Sequence, residues 1–347
     1  GGQSADSLDV LCSVDPDLVC SYLPTLTKDE EAELRGYLDA VRNDAGYADS
    51  VKAMRGSFNT TTIGYETWRS RQNQWLLESL SSESLARPRF KQTLNVLDDR
   101  VSLVERPTVS AALDDWWSRW NDERQVVAVL GDEGDGKSWA IAGWLARKIQ
   151  TDEVFPGVIF AASSQVDSDE PLQLIPSLIA RQLGTQGRDF WERRLRRWLA
   201  RPADSKPFLL LVLDGLNERN QPSFWRSLLS QFIDGGELAS RIGLAVTCRT
   251  SFWQDIALSY LSTRRLLVGP YDKNEFARAC ELGGLRPDGI DPSLLSLMQK
   301  PRYFDLVSKH MQAMAESGDI TVPRLMYIDW EDRYERKTLL TVTPIDF

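Results

Sequence analysis

The rhythm of hydrophobic and polar positions changes near residue 125. Before it, apolar residues recur at helical spacing within polar sequence: Leu34, Tyr37, Leu38 and Val41, then Trp68, Trp75, Leu76 and Leu80. That spacing predicts two amphipathic helices. Thr27-Lys28-Asp29-Glu30 gives the first a start signal, with Thr27 able to cap and Glu30 three residues on. Ser57 to Ile63 interrupts the pattern, and nothing in this stretch forms a catalytic constellation. Residues 1–100 read as a helical linker or adaptor region.

From Gln125, short apolar runs alternate with helical segments. Gln125–Leu130, Gly157–Ala161, Phe208–Leu213, Ile242–Thr247 and the short Arg265–Val268 have strand length. Phe208–Leu213 is apolar throughout, as a strand covered on both faces must be. Lys137–Gln150 reads as a helix with Trp139, Ala142, Leu145 and Ile149 on one side, and Pro171–Leu183 reads as another. Five strands separated by helices predict an open parallel α/β sheet. After Gly269-Pro270 the strands stop. Lys273–Leu282, Ser293–Ala315 and Pro323–Lys337 read as helices, followed by a strand-like Leu339–Val342.

Composition narrows the class. The 347 residues exceed one ordinary core. Hydrophobic residues make up 42% and charged residues 26%, a globular balance, and twelve Trp point to large aromatic cores. The net charge of −9 argues against broad nucleic-acid binding, which needs a basic face. Cys12, Cys20, Cys248 and Cys280 show no metal-ligand spacing, so reduced, mostly buried thiols in a cytoplasmic protein are expected. His310 is the single histidine, which removes His-based zinc sites. No apolar run approaches the ~18 residues of a membrane span.

The chemistry concentrates in three places. Gly131-Asp132-Glu133-Gly134-Asp135-Gly136-Lys137-Ser138 fits the phosphate-loop pattern GxxxxGK[ST] at every fixed position, between a strand and a helix. Its glycines permit positive φ, so backbone N–H groups can face phosphates. Lys137 reaches the β and γ phosphates, and the Ser138 hydroxyl can ligate Mg²⁺. Asp214 then ends the apolar third strand, where parallel sheets place ligands, and is the second candidate Mg²⁺ ligand. Glu218, four residues on, is the candidate to position or deprotonate the attacking water, and Asn217 can orient it. Arg249 ends the fourth strand and would sense the γ-phosphate.

Taken in order, GDEGDGKS, LLLVLDGLNER and AVTCRT resemble the STAND class of P-loop NTPases. The DGLNE stretch is similar to the NACHT-type second motif, especially that of bacterial antiviral (Avs-like) STAND proteins. The resemblance implies an ASCE/AAA+-like five-stranded fold that binds ATP or ADP with Mg²⁺. In that class a short motif before the sheet contacts adenine; Leu103-Val104-Glu105-Arg106 resembles it, assigning Val104 and Arg106 to the base. Pro301, in Lys300-Pro301-Arg302, stands where a helical-subdomain proline packs near the base. Leu325–Arg333 looks like the opening helix of a winged-helix segment. The expected divisions are therefore 1–100 helical, 101–270 P-loop NTPase, 271–318 helical subdomain and 319–347 a partial winged helix.

Two departures stand out. NACHT proteins commonly carry an acid where Asn217 stands, which implies slow hydrolysis, and His310 lies too early to match the winged-helix histidine of some relatives. The resemblance implies a switch that self-associates on activation, with effector and sensor regions outside this chain, in bacterial antiphage defence. The alternatives are an AAA+-type remodelling ATPase and a nucleotide-locked scaffold without meaningful hydrolysis. Arg188 to Arg201 interleaves Arg188, Arg193, Arg194, Arg196, Arg197 and Arg201 with Phe190, Trp191, Leu195, Trp198 and Leu199. It reads as a basic-rimmed helix whose rim is either solvated or a subunit or nucleic-acid contact.

Overall fold

The computed structural model describes residues 64–98, 104–120, 126–200, 206–233, 237–256, 263–286, 290–317 and 321–328, with positions 32, 33, 35, 36 and 330. The helix start at Thr27–Glu30, the apolar positions Leu34 to Val41, the break at Ser57–Ile63, Leu103, Cys12, Cys20 and Leu339–Val342 lie outside these residues.

Five parallel strands form the sheet: β1 (Val126–Gly131), β2 (Gly157–Ala162), β3 (Leu209–Asp214), β4 (Ile242–Arg249) and β5 (Thr263–Leu267), in the order β2-β3-β4-β1-β5. The fold is the open parallel α/β sheet that the strand–helix alternation predicts, and the P-loop NTPase fold that the resemblance implies. β4 lies between β1 and β3, so the three motif-bearing strands are neighbours.

Alternation along each strand divides the core in two. Ala128 and Leu130 of β1, Ile159 of β2, Leu211 and Leu213 of β3 and Val246 of β4 face one side. There they meet α5 (Pro171–Leu183), α6 (Arg188–Leu199), α7 (Pro222–Ile233) and α9 (Thr250–Ile256). Val127, Val129, Val158, Phe160, Leu210, Val212 and Ala245 face the other side, against α2 (Glu83–Phe90), α3 (Pro107–Ser118) and α4 (Lys137–Thr151). Period-2 side chains with both faces apolar are what a sheet between two helical layers requires. Trp116, Trp144, Trp191, Trp225 and Trp253 are fully buried in these layers, so the aromatic cores expected from the tryptophan content are present. Helix α6 buries Trp191, Leu195, Trp198 and Leu199, as its pattern predicts, with Arg188, Arg193 and Arg196 exposed and Arg194 and Arg197 half-buried. The short α8 (Glu237–Arg241) leads into β4.

Helix α1 (Tyr65–Ser79) differs from expectation. It is not amphipathic with one apolar stripe, because it lies along the β2 edge and reaches both layers: Trp68 joins one cluster and Leu76 the other. Its polar residues serve the edge strand. Asn73 accepts from the Val158 N–H at 2.9 Å and donates to the Pro156 carbonyl at 3.1 Å. Gly157 is required there, since a Cβ would stand 2.3 Å from the Trp68 ring.

The C-terminal helices α10 (Lys273–Leu282), α11 (Pro292–Met298) and α12 (Pro301–Ser317) form a third cluster around Cys280, Met298, Phe304 and Val307. The single helix expected over Ser293–Ala315 is two. Pro301 lacks an N–H and disfavours helical backbone before it, so α11 stops and α12 starts at the proline. Asp291 caps α11, accepting from Ser293 at 2.8 Å. Of the helix expected over Pro323–Lys337, residues 322–328 are helical. Among the described residues, no helix is long and apolar enough to cross a membrane.

Candidate functional site

β1 runs into the glycine loop at Gly131, where a Cβ would lie 2.1 Å from the Val268 carbonyl. Gly134 and Gly136 take φ of +86° and +82°, open to glycine at little cost. Helix α4 begins at Lys137 with no side-chain cap, so its first-turn N–H groups remain for a ligand in the loop. Asp135 is buried inside the loop; Oδ2 accepts from the Asp132 N–H at 2.6 Å, while Oδ1 has no partner. Lys137 Nζ donates to the Asp132 carbonyl at 2.6 Å. Burial holds the Lys137 pKa below its ordinary value, against the charges of Asp135 and Asp214. Ser138 follows, half-buried on the first turn of α4.

At the end of β3, Asp214 is 2% exposed. Its Oδ1 accepts from the Thr247 hydroxyl at 2.6 Å, and that hydroxyl accepts from the Gly215 N–H at 2.8 Å. Its Oδ2 accepts from the Gln92 amide, which arrives from the loop after α2. Gly215 has φ of +70°, and a Cβ on it would lie 3.0 Å from Glu218 Cδ; the glycine thus lets Glu218 fold back over the strand end. Partial burial and the neighbouring Asp214 charge push the Glu218 carboxyl above the usual range, opposed by the Ser163 hydroxyl and Arg249.

At the end of β4, Arg249 pairs across the sheet with Gly131. Its N–H donates to Asn217 Oδ1 at 3.0 Å, which gives Asn217 a structural partner. Its guanidinium meets Glu133 at 2.6 Å. Arg302, the second residue of α12, meets the other Glu133 oxygen at 2.7 Å, and its N–H donates to the Gly134 carbonyl at 3.1 Å. Pro301 packs on the loop, 3.3 Å from where a Gly136 Cβ would stand. Arg106 is almost fully buried; it pairs with Glu275 at 3.0 Å and donates to the carbonyls of Asp135 at 3.0 Å and Gly269 at 2.8 Å. It therefore ties the loop to α10. Val104 lies in the C-terminal cluster, with Met298 and Phe304.

The donor set fits a phosphate with a divalent cation: two left-handed glycines, an uncapped helix start, a lysine, a hydroxyl and a buried carboxylate. Residues 125–282 match the family described as NACHT domain. The chain carries a NACHT domain. No curated protein sequence matches the chain. Among solved structures, the chain is similar to Cdc6p from Pyrobaculum aerophilum at 16% identity, covering 65% of this chain and 67% of that one, with a TM-score of 0.41. It is also similar to Rif2 from Saccharomyces cerevisiae at 14% identity, covering 73% and 80%, with a TM-score of 0.29. Neither likeness carries weight for function.

Three residues in and around the NACHT domain make site contacts that sequence patterns do not reveal: Gln92 on Asp214, and Glu133 with Arg302 at the loop. Gln92 lies 122 positions from its partner and belongs to no motif. Glu133 occupies a variable position of the loop and Arg302 follows the motif proline, and neither carries a signal of its own. Cys248, by contrast, is inert at the site: burial pushes its thiol up to about 12. Cys280 is likewise a free, buried thiol.

Proposed function

We propose that this NACHT domain binds ATP and ADP with Mg²⁺ and hydrolyses ATP slowly, as the switch of a STAND-class signalling protein in bacterial antiphage defence. The observation that carries this reading is the meeting of Lys137, Asp214, Glu218 and Arg249 at the carboxyl edge of the sheet, where the charges of Asp214 and Arg249 act on both Lys137 and Glu218. The first-turn N–H groups of α4 and Lys137 would hold the β and γ phosphates. Ser138 and Asp214 would hold Mg²⁺, which when bound draws negative charge off the phosphate oxygens. Glu218 is the base for the attacking water, and its raised pKa suits a group that must take up a proton. Arg249 faces the side on which the γ-phosphate would lie.

We take the nucleotide unit to comprise residues 64–98 together with 101–270, because α1 and the loop after α2 are built into its edge and its site. Residues 271–318 form the helical subdomain, and a winged-helix segment follows from 319. Self-association on triphosphate binding, effector and sensor regions outside this chain, and a cytoplasmic setting complete the reading. It is tested by calorimetry of Mg²⁺ with ATP against the parent and Lys137→Ala. Loss of a charge-assisted phosphate contact should weaken binding by about 1.5–3 kcal/mol or more. Equal affinity for the two proteins would sink the assignment.

A further inference from the structure

The glycine loop carries a charge that phosphate binding does not require. Glu133 is a carboxylate within the loop proposed to cradle phosphates, and each of its oxygens holds a guanidinium from a different part of the chain. Oε2 meets Arg249 at the end of β4, at 2.6 Å, and Oε1 meets Arg302 at the start of α12, at 2.7 Å. The three side chains are between 47% and 51% exposed. Pairs as open as these are screened and exchange readily. A carboxylate bridging two guanidinium groups presents them with what a phosphate would present: two acceptor oxygens and negative charge.

We propose that Glu133 is a placeholder for the terminal phosphate of a nucleoside triphosphate, and that Arg302 is a second cation that takes up that phosphate when Glu133 gives way. The inference rests on the nucleotide reading above and goes beyond it. A terminal phosphate and the Glu133 carboxylate repel one another and compete for the same guanidinium groups, so a triphosphate displaces Glu133. A diphosphate ends one phosphate short and leaves the bridge intact. Glu133 thereby sets the preference between the two nucleotides.

The exchange also reaches the helical subdomain. The Arg302 N–H is fixed to the Gly134 carbonyl, and Pro301 rests on Gly136. Repositioning the Arg302 side chain therefore acts at the first turn of α12, whose Phe304 and Val307 belong to the C-terminal cluster.

The test is calorimetry on the whole chain with Mg²⁺, using ADP and the imido analogue of ATP as probes. Glu133→Gln should raise affinity for the triphosphate analogue about tenfold, the effect of one charge-assisted contact, with ADP affinity nearly unchanged. Arg302→Gln should lower triphosphate affinity by a similar factor and leave ADP alone. This second variant tests the exchange independently should Glu133→Gln fail to fold. If either variant weakens both nucleotides equally, Glu133 and Arg302 are a structural clamp and the proposal is overturned. Unchanged ratios in both variants overturn it as well, while leaving the nucleotide reading standing. A parent chain that binds neither probe removes both.

Discussion

The polar contacts around the glycine loop fall into two regions of opposite character. Beneath the loop, Arg106 and Glu275 are 9% and 7% exposed, and Asp214 is 2% exposed with Thr247 on it. Above the loop, Glu133, Arg249 and Arg302 are about half exposed. The same ionic chemistry has different consequences in the two places. A buried pair that loses one member leaves an uncompensated charge out of water, whereas an exposed group is resolvated. The lower contacts fix the shape of the site, and the upper ones are free to change partners.

If that division is right, the upper region should carry function with little stability, and Arg106, Glu275 and Thr247 of the lower region stability with no direct part in the chemistry. The largest effect expected is catalytic. Glu218→Gln should slow single-turnover ATP hydrolysis by ~10²–10⁴-fold, the usual contribution of a general base. The pH dependence sharpens this. Glu218 must be unprotonated to act and its pKa is raised, so the rate should climb with pH above the ordinary carboxylate value of 4.5. Its effect on stability has the opposite sign. The folded chain holds this proton more firmly than the unfolded one, so the stabilisation is full below 4.5 and is lost as pH rises through the raised value. A parental rate in Glu218→Gln would exclude it as the base; a larger defect in Asn217→Ala would hand water positioning to Asn217.

Next comes Arg106→Ala, which strands Glu275 and uncouples α10 from the loop. We expect a loss of about 3–5 kcal/mol in urea unfolding, the cost of breaking a buried pair. A loss under half of that would mean that the Asp272 N–H, already donating to Glu275 at 3.0 Å, suffices to satisfy it. Thr247→Val keeps the shape and removes the hydroxyl shared by Asp214 and Gly215. It should cost about 1–3 kcal/mol by the same measurement, since buried groups lose a partner. Arg249→Ala should shift the unfolding free energy by no more than about 1 kcal/mol, as exposed pairs do. A shift as large as that of Arg106→Ala would erase the contrast between the regions.

The two regions also differ in how far the sequence reveals them. The loop, Asp214 and Arg249 are legible because each follows an apolar strand, and a parallel sheet puts strand ends side by side. The period-2 alternation likewise exposes the sheet. Arg106 is legible as belonging to the site but not in its manner: it reaches the loop through the Asp135 carbonyl, a backbone partner that no side-chain pattern encodes. Gln92 and the Glu133–Arg302 pair, the latter 169 positions apart, are polar contacts with no period. The α11–α12 break is readable from Pro301, but the helical spacing on either side of the proline masks it.

Helix α1 carries a practical consequence. The family match begins at residue 125, yet the outer edge of β2 is satisfied by Asn73 and packed by Trp68. A fragment trimmed to the matched boundaries would free the Pro156 carbonyl and the Val158 N–H and uncover the apolar edge strand that carries them. Such an edge templates further strands, so the trimmed fragment should precipitate or form mixed oligomers of no biological meaning. Expression boundaries drawn at or before residue 64 keep the edge covered.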